Sequence, residues 1–176
     1  TLKTKPKEIN QEKRIDLTDK NSYMFKNWNS KNYPILPIFQ IENNKDKTYK
    51  LWIHANTVAE RIVLNNRKSL EIFADKYESF PLLDQWQNYL CQELIEASRF
   101  NLGEPNEAIS ICIDLNSENE ILNWSFHLTK VKCSLIVENK QLEALLTRKS
   151  KTRITSRILK PLKEYVSDLD KILEIS

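Results

Sequence analysis

Asp16 and Asp19 lie in the run RIDLTD, Arg14 to Asp19, and the next carboxylate along the chain is Glu42. From Lys20 to Ile41 there is no aspartate or glutamate. Clustered carboxylates hold hard divalent cations such as magnesium, and two such ions can clamp the attacking and leaving oxygens of a phosphoryl transfer. This stretch offers the opposite chemistry. Lys26 is a fixed positive charge, Asn32 a neutral amide, and Pro34 and Ile35 carry no side-chain oxygen. Other acids, such as Glu42 and Asp46, would have to build a whole constellation to hold such ions. The other chemically suggestive stretch is TRKSKTRITSRILK, residues 147–160, with Arg148, Lys149, Lys151, Arg153, Arg157 and Lys160 and no acid between them. Such cations can contact nucleic-acid phosphates with a salt-dependent affinity. Without a paired aromatic platform, the commoner use of such a run is a solvated face. His54 and His127 stand singly on apolar runs, and no serine or cysteine is placed to suggest a nucleophile–base pair.

The elements that must carry these residues follow from periodicity. Ile35–Glu42 and Tyr49–Ala55 read as strands joined by a turn at residues 43–47, with Pro37 pointing to an edge, a bulge or a late strand start. Ser69–Tyr77 reads as a helix, and Asp84–Phe100 as a longer one, with Asp84 as N-cap and Trp86, Leu90, Leu94 and Ala97 on one face. Ala108–Leu115 and Ile121 to about Val137 form a second strand pair. Asn119 sits in its turn, where the left-handed region is tolerated. Glu138–Leu146 reads as a short helix, and Leu162–Ile175 as an amphipathic one after Pro161. Residues 1–13 are polar and aperiodic, which predicts a flexible arm or a linker. The organisation expected is therefore an arm over 1–13, a folded domain over 14–146, and a basic stretch with a C-terminal helix over 147–176.

Composition excludes several classes. The chain has 176 residues, 40% hydrophobic and 29% charged, with a net charge of +3. That is an ordinary globular balance and only mildly basic. Its single glycine, Gly103, cannot build a phosphate-cradling loop, so a nucleotide cofactor is not expected. Cys91, Cys112 and Cys133 are widely spaced in apolar contexts and read as buried free thiols rather than disulfides or metal ligands. No apolar run reaches the length of a membrane span, so an integral membrane protein is not expected. A cytoplasmic location, peripheral to a larger complex, fits these features.

Five landmarks then occur in order: RIDLTD, the strand LWIH (Leu51–His54), HANTVAERI (His54–Ile62), the helix near residues 86–98, and DLNSENEI (Asp114–Ile121). Together they resemble the front of the RNB domain, the catalytic domain of the ribonuclease II and ribonuclease R family. The resemblance implies an α+β fold, an antiparallel or mixed sheet with flanking helices, like the N-terminal part of an RNB domain. It also implies where a site should be. The family pattern is an aspartate, five residues, then Asp-x-Asp-Asp, holding magnesium for hydrolysis of RNA from its 3′ end. Counted from RIDLTD without a gap, those positions fall on Lys26, Asn32, Pro34 and Ile35. Tyr77, near the family's base-stacking tyrosine, lies in a shortened segment and is not assigned that role.

Three readings result. The first is a catalytically inactive RNB-like protein, a pseudo-exoribonuclease without metal or cofactor, acting as a protein-interaction or scaffold subunit. The second is an RNA-binding protein that does not cleave, using Lys26 and the cations Arg148, Lys149, Lys151, Arg153, Arg157 and Lys160 on single-stranded RNA. The third is an active 3′-5′ exoribonuclease completed by a partner chain.

Overall fold

The computed structural model describes residues 14–26, 35–44, 46–57, 80–82, 85–87, 95–96, 98–148 and 157–176. The expected arm over 1–13 and the expected helix at Ser69–Tyr77 lie outside them. The strands are β1 (Ile15–Asp16), β2 (Tyr23–Lys26), β3 (Ile38–Asn43), β4 (Tyr49–Asn56), β5 (Phe80–Leu82), β6 (Gln85–Gln87), β7 (Pro105–Leu115), β8 (Ile121–Lys132) and β9 (Leu135–Glu138). Two helices follow, α1 (Asn139–Thr147) and α2 (Val166–Ile175), with a 3-10 turn at Lys160–Leu162 between them.

Seven strands form one sheet in the order β1-β8-β7-β4-β3-β2-β9. β7 and β8 make a long antiparallel hairpin, β4 pairs antiparallel with both β7 and β3, and β2 begins an antiparallel pairing with β3. The remaining two pairings are parallel: β1 lies beside β8 at Ile15↔Thr129, and β2 beside β9 at Tyr23↔Leu135. Because β1 leads into β2 and β8 into β9, these pairings set two chain paths side by side. The stretch between them is also bridged. Leu17 N donates to Lys130 O at 2.9 Å, Ser22 Oγ to Lys132 O at 2.7 Å, and Ser134 N to Ser22 O at 3.0 Å. The sheet thus curls round and closes on itself, an α+β architecture with a mixed sheet and helices on its outside.

Alternation of side chains sorts each strand between the two faces. On the inner face Met24, Ile38, Trp52, Ala108, Cys112 and Val131 form one apolar cluster with Leu17 and Phe100. On the outer face Tyr23, Ile41, Leu51, Leu115 and Val137 pack with Leu145 of α1 and with Leu159, Leu162, Leu169 and Ile172. The stretch 157–175 is therefore built into the same core as the sheet. Glu138 and Gln141 start α1 with a reciprocal capping box. Tyr23 Oη donates to Asp168 Oδ2 at 2.6 Å, which ties β2 to the first turn of α2.

Several expected elements change in the structure. The start of the expected helix Asp84–Phe100 gives way to strand at Gln85–Gln87, paired antiparallel with Phe80–Leu82. The residue before Pro81 is biased to extended backbone, which favours a hairpin at that point. Helix is present at residues 95, 96 and 98. The long run from Ile121 to Val137 breaks at Cys133–Ser134, because its second part leaves β7 and pairs with β2 instead. The final helix starts at Val166 rather than Leu162, after the turn that Pro161 imposes. Asn119 does adopt the left-handed region, with φ of 66°.

Leu169 is fully buried between α2 and the sheet. Truncation to alanine should cost about 2–5 kcal/mol, whereas Leu146→Ala, at an exposed position of α1, should change stability by roughly 0.5 kcal/mol or less. Urea unfolding of both variants checks the contrast.

Candidate functional site

The place to look for chemistry is the end of β2, where the resemblance puts its first acidic position. Lys26 occupies it, at the last pairing of the parallel seam, opposite Glu138. Its Nζ lies 3.7 Å from Glu138 Oε1. Glu138 is thus shared between this lysine and the cap of α1. Ile35 is half-buried just ahead of β3. Asn32 and Pro34 lie outside the described residues. A magnesium ion does not fit this donor set: the carboxylate beside Lys26 already answers a fixed cation and a helix N-terminus. Among the described residues no group of three or more histidine, cysteine, aspartate or glutamate side chains is placed to hold a metal.

The predicted cations have different environments. Arg148 is mostly buried and ion-pairs through Nη2 with Asp170 of α2, so it fastens the end of α1 to the neighbouring helix. Arg157 and Lys160 are exposed around the 3-10 turn. Lys149, Lys151 and Arg153 lie outside the described residues.

A polar cluster that the sequence reading missed fills the inner face. His54 on β4 is fully buried, and its Nδ1 is hydrogen-bonded to Ser110 Oγ at 2.7 Å. Ser110 Oγ in turn shares a hydrogen bond with Thr129 Oγ1 at 2.6 Å. Burial without a compensating charge pushes the His54 imidazole down to about 4. His127 Nε2 is 2.7 Å from Ser125 Oγ, and its ring lies 5.4 Å from that of Trp52. Trp52 Nε1 donates to Glu42 Oε1 at 2.7 Å, and Gln40 Nε2 donates to the same oxygen at 3.2 Å. Lys50 and Asp114 form a 2.9 Å ion pair at the same end of the face.

Each histidine thus has a serine hydrogen-bond partner, and the one on His54 could not be read from the sequence. The reason is register. His54 faces Ser110 only because β4 and β7 pair at that point, and no spacing along one strand reveals a partner 56 residues away. The pair is not an activated nucleophile, since Ser110 is fully buried and engaged by Thr129 as well. Cys112 and Cys133 are buried free thiols, pushed up by desolvation, as expected for unreactive cysteines. Cys91 lies outside the described residues.

RIDLTD and LWIH prove to be structural signals. Arg14 Nη1 donates to Ala108 O at 3.4 Å, and Leu17 is buried in the inner cluster. Asp16 Oδ1 accepts from Thr18 Oγ1 at 2.7 Å and Thr18 N at 3.0 Å. Leu51 packs outward, while Trp52 and His54 point inward.

This mixed, self-closing sheet with its helical cover defines an RNB-type domain. The RNB domain family model matches residues 14–176, and the chain belongs to that family. No curated protein matches it. Among solved structures, it is similar to yeast Ssd1, a pseudonuclease, at 19% identity and a TM-score of 0.66, covering 98% of this chain and 20% of that one. It is also similar to Mycoplasma genitalium RNase R, solved in complex with double-stranded RNA, at 17% identity and a TM-score of 0.66, covering 93% and 29%. A third similar structure is the Dss1 exoribonuclease of Candida glabrata, at 13% identity and a TM-score of 0.66, covering 93% and 22%. The chain therefore spans under a third of the length of each of these proteins, and at these identities the likeness concerns the fold.

The buried imidazole makes stability depend on pH. Above pH 6.5 His54 is neutral in both states; as pH falls from 6.5 toward about 4 the unfolded chain takes up a proton that the folded one refuses. Stability should drop by about 3 kcal/mol across that window and level off below it. His54→Gln should flatten the slope between those limits in denaturant melts taken at stepped pH. An unchanged slope would assign the titration to another group.

Proposed function

We propose that the chain is a catalytically inactive RNB-type protein, a pseudo-exoribonuclease, that serves as a protein-interaction or scaffold subunit. The observation that carries this reading is at the end of β2. Lys26 stands where the resemblance calls for the first metal-binding aspartate, and it is ion-paired to Glu138. Asn32, Pro34 and Ile35 supply no carboxylate for the rest of the set. A two-ion phosphoryl transfer needs anionic ligands to hold its metals, and a lysine at that point repels them. Ssd1 supports the reading as a pseudonuclease of similar fold, so this architecture persists in another protein called a pseudonuclease. The core of the domain does not depend on the absent carboxylates, which fits a fold retained for binding. Buried thiols at Cys112 and Cys133 fit a reducing, cytoplasmic setting.

A second reading, RNA binding without cleavage, is favoured by the exposed Arg157 and Lys160 and by a similar RNase R solved with RNA. Phosphate contacts would then make affinity fall with added salt.

Two measurements test these readings. Labelled single-stranded RNA should stay intact with the purified chain and magnesium. Progressive, magnesium-dependent shortening from the 3′ end would overturn the inactive reading. Stoichiometric protein partners should remain bound after ribonuclease treatment of a native purification. If RNA is recovered instead and Arg157→Ala with Lys160→Ala weakens its binding and reduces its salt dependence, the RNA-binding reading replaces the scaffold.

A further inference from the structure

His54 and Ser110 are sealed in the core, but the second serine–histidine pair is not. Ser125 and His127 are both half-buried on the inner face of β8, and Ser125 Oγ lies 2.7 Å from His127 Nε2. That is hydrogen-bond reach between a nucleophile and its base. Two residues apart on one strand, they share a face, so no other element is needed to bring them together. The imidazole is held from the side by Trp52, whose ring centroid is 5.4 Å away. Among the described residues nothing else is hydrogen-bonded to Ser125 Oγ, in contrast to Ser110, which Thr129 also engages.

The backbone supplies a third group. Leu17 N donates to Lys130 O, so the main chain of Lys130 turns toward β1. Pairing of β8 with β7 is unbroken from Trp124 to Lys132. In an antiparallel ladder successive residues direct their N–H and C=O groups to alternate sides. Leu128, Phe126 and Trp124 therefore turn the same way as Lys130, away from β7. β1 occupies that side only at Thr129 and Lys130. Among the described residues nothing accepts from the Phe126 N–H. The Phe126 side chain lies on the outer face, where it forms an exposed aromatic ridge with Trp124. The amide that follows Ser125 is thus free at an open edge of the sheet. A backbone N–H just after a nucleophile is one of the donors that stabilise the oxyanion of an acyl transfer.

We propose that Ser125 is a nucleophile toward activated esters, with His127 as its base and the Phe126 N–H as the oxyanion donor. Ser125 Oγ adds to the ester carbonyl carbon, and its proton passes to His127 Nε2. The bond to the leaving group breaks, and the proton goes on to the departing phenolate. Water then gives a proton to the same nitrogen and adds to the acyl group. The bond to Ser125 breaks, the carboxylic acid leaves, and Ser125 Oγ regains its proton. Among the described residues no carboxylate is bonded to His127, so the pair is a dyad. Without that third group catalysis is weaker, which limits the pair to esters with good leaving groups. No metal takes part, so the reaction is independent of whether the chain cleaves RNA.

The full chain should release nitrophenol from para-nitrophenyl acetate. A fluorophosphonate should label it at Ser125, forming an O–P bond with loss of fluoride, as read by peptide mass spectrometry. Ser125→Ala should abolish both. His127→Ala should slow labelling by about a hundredfold or more. Added imidazole should restore part of that rate, which a merely structural histidine would not allow. Both side chains are half-exposed, so circular dichroism should be unchanged. Should His127→Ala fail to fold, His127→Gln reads the same loss. Label absent from Ser125, label spread equally over other serines, or a Ser125 rate indifferent to both His127 variants would overturn the proposal.

Discussion

The parallel seam between residues 15–26 and 129–138 governs the rest of this structure. Parallel neighbours cannot be joined by a tight turn, so the two paths come from opposite ends of the domain, with the β3, β4 and β7 strands between them. Once Leu17 N bonds to Lys130 O and Ser134 N to Ser22 O, the sheet has an inside and an outside. Each strand must then divide its side chains between an enclosed face and a face that helices can cover. The break at Cys133–Ser134 follows from the same constraint, since β9 must move from the β7 side to reach β2.

The enclosed face explains the buried polar residues. A purely apolar lining is not what this chain uses: His54, Ser110 and Thr129 are hydrogen-bonded to one another across three strands, and Trp52 and Gln40 converge on Glu42. A buried polar group costs free energy unless it is hydrogen-bonded, so these side chains must be placed by the ladder before they can satisfy one another. They make the register of β3, β4, β7 and β8 specific, because a one-residue slip would move all of them to the wrong face. The outer face is divided differently. Its β2–β3–β4 side lies under α1 and α2, while the β7–β8 side carries the exposed aromatic ridge.

At the end of the seam the same geometry sets which charges meet. Lys26 and Glu138 are opposite each other because β2 and β9 run parallel in that register. A cation on one strand and an anion on its neighbour form a cross-strand pair, and Glu138 simultaneously caps α1. Charge at this point is part of how the sheet is joined to its helical cover. Arg148 makes the corresponding connection between α1 and α2 through Asp170.

The residues of the chain by themselves determined some of the strands, β3, β4, β7 and β8, and the absence of a carboxylate from Lys20 to Ile41. Alternation in Ile109, Ile111 and Ile113 announced β7, and LWIH announced β4, because period-two patterning is local. The missing carboxylates between Lys20 and Ile41 were equally plain, since metal ligation depends on side-chain chemistry that no fold can supply. Tertiary structure alone decided what those residues touch. The strand at Gln85–Gln87 won over a helical pattern because it pairs with Phe80–Leu82. Arg148 left the candidate RNA-binding run for Asp170, and His54 acquired Ser110, through contacts 22 and 56 residues apart. Periodicity along a strand reports which face a side chain takes. It carries no information about which strand comes to lie beside it, and that choice was made by the closing of the sheet.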